Sequence, residues 1–129
     1  AVFVLWASSS CTPLVRLFAY NNTDAQLEVV LKSKQIAIEP GELQQIDYIL
    51  KDYFLLLKRE QRQFCYRVPA IPMDYWKTKF TAYDVHIQIE ADGLIYLVKP
   101  DVSLPTTDLS GQPTGFPVAP LAEQVQCSG

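Results

Sequence analysis

Residues 84–98 read Asp84-Val-His-Ile-Gln-Ile-Glu90, Ala91-Asp92-Gly93, Leu94-Ile-Tyr-Leu-Val98, and this stretch decides the fold class. Successive side chains of an extended chain point to opposite faces, so Val85, Ile87 and Ile89 share one face while Asp84, His86, Gln88 and Glu90 share the other. Residues 94–98 supply a return strand. Asp92-Gly93 between the two tolerates positive φ, and the spacing predicts a β-hairpin with a two-residue turn. An isolated hairpin is marginal in water, so further strands must pair with it and bury its apolar face.

Working outward, Leu14-Val-Arg-Leu-Phe-Ala-Tyr20 is rich in β-formers and stops at Asn21-Asn22-Thr23-Asp24, whose short polar side chains bond to nearby backbone and favour a turn. Residues 26–32 and 35–39 read as the next two strands, joined tightly at Ser33-Lys34, before Pro40-Gly41 breaks the chain. Residues 42–64 are ambiguous. Leu43, Ile46, Leu50, Tyr53 and Leu57 recur at spacings of three and four, as in an amphipathic helix. Tyr48, Ile49, Phe54, Leu55 and Leu56 fall off that stripe, so the helix would be apolar nearly all round. Strands at 43–50, 53–58 and 63–68 fit better, with turns at Lys51-Asp52 and through 59–62. Residues 73–80 are too punctuated for more than a helical turn or a loop. The sum is seven or eight short strands: an all-β chain forming an antiparallel sandwich or small barrel.

A chain of 129 residues suits one domain, here 12–99, preceded by a distinct segment at 1–11. Five of the nine prolines fall at Pro100, Pro105, Pro113, Pro117 and Pro120, so 100–129 reads as an extended tail that Phe116, Val118 and Leu121 can dock. With 11 basic and 14 acidic residues the net charge is −3, without the basic excess of a nucleic-acid binder. Nucleotide-binding glycine loops, GxSxG and HExxH are missing, and the single histidine, His86, lies on the polar face of its strand and reads as solvated. The expectation is therefore a non-enzyme with no cofactor and no metal. Asp47, Asp52, Asp74, Asp84 and Glu90 keep a carboxylate-dependent hydrolase as an alternative, since paired acids need no histidine.

Arginine and aromatic residues are enriched where proteins grip partners. Lys58, Arg59, Arg62 and Arg67 lie close in sequence to Tyr66, Tyr75, Trp76, Lys77 and Lys79, and this group is the candidate binding surface, with a protein as its partner. An exposed strand edge is a second route to a partner. Asn21-Asn22-Thr23 matches the N-glycosylation pattern, which matters only in a eukaryotic secretory context.

Ala1-Val-Phe-Val-Leu-Trp6, Ala7-Ser-Ser-Ser10 and then Cys11 form an apolar run, small residues and a cysteine. That order resembles a bacterial lipoprotein export signal. The resemblance covers residues 1–11 only and implies that Cys11 carries a lipid, placing the chain in the cell envelope, on a membrane tether. Residues 2–6 also read as an ordinary edge or core strand. If Cys11 is an anchor, Cys65 and Cys127 remain as a candidate disulfide; if it is unmodified, Cys11 to Cys127 is an equally simple bridge. The functional expectation is a tethered binding or assembly module of the envelope. A structural subunit that pairs with a neighbouring copy through its terminal segments is the alternative.

Overall fold

The structure, a computed structural model, describes residues 14–49, 51–80, 82–122 and Cys127. The expectations for residues 1–11, including lipidation of Cys11, lie outside the described residues. The strands are β1 (Val15–Asn22), β2 (Leu27–Leu31), β3 (Lys34–Ile38), β4 (Leu43–Ile49), β5 (Tyr53–Arg59), β6 (Arg62–Val68), β7 (Lys77–Lys79), β8 (Ala82–Glu90) and β9 (Ile95–Val98). One sheet runs β4-β1-β8-β7, with β9 also pairing β8 beyond β7; the other runs β3-β2-β5-β6. The all-β sandwich read from the sequence is thus the fold.

Alternation explains which side chains meet between the sheets. Val15, Leu17 and Ala19 of β1 and Val85, Ile87 and Ile89 of β8 face Leu27, Val29, Leu31, Leu55, Leu57, Tyr66 and Val68 of the opposing sheet, all buried. Each fully buried aliphatic side chain contributes about 1.5–3 kcal/mol, so this interdigitated layer dominates stability.

Three details differ from the sequence reading. The described residues hold nine strands rather than seven or eight, because Lys77–Lys79, expected as loop or helical turn, pairs with residues 82–84 as β7. The helical turn is there too, as one 3-10 turn at Met73–Tyr75. Pairing is antiparallel except between β1 and β8, which run parallel from Val15↔Tyr83 to Asn22↔Glu90. These two strands are distant in sequence, so no hairpin dictates their direction. Lastly, Glu90 N–H donates to the Leu94 carbonyl, leaving a three-residue β8–β9 loop, Ala91-Asp92-Gly93, in which only Gly93 has positive φ (86°). That is the alternative hairpin geometry in which a left-handed glycine closes a longer loop.

Asn21 is the buried polar residue that fixes the first turn. Its Nδ2 donates to the carbonyls of Ala25 (2.8 Å) and Ile38 (2.9 Å), and its Oδ1 accepts from the backbone N–H and the hydroxyl of Thr23. Fully buried and satisfied at both amide atoms, Asn21 offers no accessible glycosylation acceptor in the folded protein.

The proline-rich segment lies against both sheets. Gln88, fully buried on the outer face of β8, exchanges hydrogen bonds with the Thr106 backbone (2.9 and 3.0 Å), and Gln112 does the same with Leu97 (2.8 and 2.9 Å). Val118 bridges to Ile95 on the β9 edge, and the Leu121 N–H donates to the Cys65 carbonyl on β6. Segment 116–121 therefore spans from one sheet edge to the other. Cys65 and Cys127 complete the attachment as a disulfide, Sγ atoms 2.16 Å and Cα atoms 5.4 Å apart. This pairing replaces the alternative Cys11–Cys127 bridge.

Candidate functional site

Strand registers assign every turn to one end of the sandwich. The β1–β2 connection, the β5–β6 turn and the β8–β9 loop meet at one end; the β2–β3 turn, the β4–β5 connection and the β7–β8 turn meet at the other, where β1 begins. A strand of seven residues separates them by about 20 Å.

At the first end the sheets splay into a cleft of about 390 Å³. Leu27, Leu57, Phe64 and Ile89 give it an apolar floor, and Arg59, Glu60, Arg62, Glu90 and Asp92 its charged rim, with Pro120 of the tail closing one side. Tyr66 stands between the sheets, its hydroxyl donating to the Gly93 carbonyl at 2.7 Å. Burial, assisted by the negative charge of Asp92, pushes the Tyr66 phenol up to about 12, so it stays protonated as a structural donor.

The two rim arginines differ. Arg59 is held by Asp24 at 2.9 Å, whereas exposed Arg62 lies over the Phe64 ring, 5.0 Å from its centroid. Glu90 accepts from Asn22 at 2.8 Å and also from Gln88; Asp92 accepts the Leu94 N–H and the Tyr96 hydroxyl. The arrangement can hold an apolar side chain with a charge of either sign beside it. Among the described residues, neither histidine nor cysteine lines the cleft.

The nine residues proposed from sequence do not form one surface, although Tyr66 does stand in the cleft. Arg59 and Arg62 line the cleft. Lys58 is on the outer face of its sheet beside Glu28 (3.8 Å), and Arg67 near the far end of β6 pairs with Asp52 (2.8 Å), whose carboxyl that guanidinium lowers. Tyr75 and Trp76 are half-buried against the core; the Trp76 indole donates to Ile71 O (3.1 Å) and its ring packs on Tyr83. Lys77 and Lys79 sit in β7 at the end opposite the cleft. Of the five carboxylates weighed for hydrolysis, only Glu90 reaches the cleft; Asp84 pairs with Arg16 (2.7 Å), Asp47 with Lys34 (3.4 Å) and Asp52 with Arg67.

His86 is half-buried rather than solvated, its ring 5.4 Å from that of Phe18 on the outer face of the sheet. Burial holds its imidazole below the usual histidine range, the Lys77 charge acts the same way, and Asp84 opposes both. The cleft residues that sequence reasoning missed are Glu60, Asp92, Phe64 and Pro120. Their common property is position at one end of the sandwich, which requires the strand directions. Searches of family models, curated proteins and solved structures found no match to this chain.

Proposed function

We propose that the chain is a non-enzymatic binding module of the cell envelope, tethered through a lipid on Cys11, whose protein partner places an apolar side chain in the inter-sheet cleft. The observation that carries this reading is the cleft itself: a concave apolar floor ringed by a few convergent polar groups, with Arg62 of the rim stacked over Phe64 of the floor. Concavity with an aromatic and a guanidinium that has no carboxylate partner among the described residues is what binding hot spots are made of. The disulfide supports the compartment, because such bonds persist where the milieu is oxidising. It also accounts for two of the three cysteines, in keeping with a separate role for Cys11.

The test is affinity capture from detergent-solubilised envelopes with the wild type and with Arg62→Glu, an exposed substitution that leaves the core intact. A partner recovered with the wild type and with Lys58→Gln, yet lost with Arg62→Glu at unchanged melting temperature, supports the cleft. Recovery of the same proteins with all three contradicts it.

A further inference from the structure

The end of the sandwich opposite the cleft carries a feature with no structural use. Phe80, at the tip of the β7–β8 hairpin, is 94% exposed. Its φ is 53°, a left-handed conformation that bulky residues avoid and that Asn or Gly would take at little cost. An aromatic residue kept in full solvent exposure on an unfavourable backbone points to a use outside the folded domain.

The surroundings define the partner. Met73 (71% exposed) begins the 3-10 turn that leads into β7, and Leu14 (52% exposed) immediately precedes β1 at the same end. Lys77 and Lys79 flank the tip and are exposed. Arg16, Lys34, Lys58, Arg59 and Arg67 all have carboxylate partners; among the described residues, Lys77 and Lys79 have none. Lys32 and Lys51 lie in the other connections at this end. The acidic residues Asp24, Glu39, Glu42, Glu60, Glu90 and Asp92 gather at the cleft end. Asp52 and Asp74 also lie at the lysine end, and Arg59 and Arg62 at the cleft end, so the polarity is one of balance: basic and exposed apolar side chains are in excess at one end, acidic ones at the other.

We infer that this end is a membrane-contact surface, with Phe80 inserted at the headgroup level of an anionic bilayer and Lys77 and Lys79 facing its phosphates. Aromatic side chains favour that interface, and lysines just above it gain from the negative surface potential. The Leu14 carbonyl accepts the Tyr83 N–H at 2.8 Å, so the first described residue lies beside this hairpin. Cys11 precedes Leu14 by three residues, a reach of about 10 Å at most. This inference rests on the tethered reading, to which it adds the surface that meets the lipid and the direction in which the cleft faces: away from the membrane.

The experiment uses the full chain with Cys11→Ser, so that no lipid contributes, in co-sedimentation with vesicles of phosphatidylcholine with and without phosphatidylglycerol. Binding should require phosphatidylglycerol. It should fall on the order of fivefold for each of Lys77→Gln and Lys79→Gln, and roughly tenfold for Phe80→Asn, which suits the turn and preserves the fold. Lys58→Gln, the same charge change away from the tip, should have no effect. Equal binding to both vesicles, no binding to either, or insensitivity to Phe80→Asn overturns the inference. Capture of a protein in cells by a photo-reactive residue at position 80, with no vesicle binding, would assign the tip to a protein instead. Intact mass of the native protein tests acylation of Cys11 separately: an unmodified Cys11 with a working tip defeats the tether alone, and an acylated Cys11 with an inert tip defeats the contact alone.

Discussion

The Tyr66 hydroxyl, from a side chain with no exposed surface, donates to the Gly93 carbonyl 2.7 Å away, joining β6 of one sheet to the β8–β9 loop of the other at the cleft. The bond holds the two walls at a fixed separation. Tyr66→Phe leaves the Gly93 carbonyl without this donor and should cost about 1–2 kcal/mol. Urea unfolding of the two proteins reads the loss directly, and faster amide exchange at Leu94 and Ile95 should accompany it. An unchanged midpoint would mean that the loop is held by other contacts.

Reduction removes the staple between Cys65 and Cys127, which are separated by 62 positions. In the chain-entropy account the loss is about 4 kcal/mol. Cys127→Ser should reproduce the shift seen on reduction of the wild type, and reduction of the variant should do nothing further. The Val118 and Leu121 backbone contacts should weaken in the same samples, visible as lost amide protection.

Burial depresses the His86 imidazole, so the sign of its pH effect is fixed. The folded state favours the neutral ring more than the unfolded state does. Its contribution to stability is therefore present above the unfolded histidine pKa and is lost as the pH falls through the lower folded value. Between about pH 7.5 and about pH 5.5, the stability of the wild type relative to His86→Gln should decline, a comparison that cancels the titration of groups common to both. A gap that grows on acidification would contradict the burial of His86 against Phe18.

Phe80→Asn should stabilise the isolated protein by about 0.5–1 kcal/mol, because Asn accepts the left-handed conformation that Phe occupies at a cost. Thermal unfolding without lipid checks this. A destabilised variant would show that Phe80 packs on the domain after all.

Much of the sandwich was legible because a strand with one face in the core alternates with a period of two; β1, β2 and β5 show it in their burial, and β8 shows it in its sequence although Asp84 and Gln88 on its outer face are buried too. Residues 43–49 were harder for a definable reason. The register between β1 and β4 slips between Leu17 and Phe18, where Leu17 pairs with Asp47 and Phe18 with Gln45, so Ile46 is an extra residue in the ladder. A bulge re-aims the side chains that follow it. Ile46 and Ile49 consequently both face the core at a spacing of three, which imitates a helix.

The turns show a second limit. Asp92-Gly93 reads as the strongest two-residue turn, yet the tight turns are Lys32-Ser33, Glu60-Gln61 and the β7–β8 connection that begins at Phe80, each opening on a non-glycine residue at positive φ. Strand pairing on both sides imposes that conformation against local preference. The parallel β1–β8 pair set the ends of the molecule, and with them which charges gather around the cleft. Arg59 and Arg62 were within reach of sequence because they flank a turn. Asp92, Glu60 and Pro120 join them only through tertiary topology.

The central claim is one of polarity: the cleft receives a protein while the opposite tip meets lipid. Photo-reactive residues placed singly at positions 62 and 80 of the native protein in cells test it in one measurement. The account predicts a discrete protein adduct from position 62 and lipid adducts without a protein from position 80. A protein adduct from position 80 together with none from position 62 would contradict it.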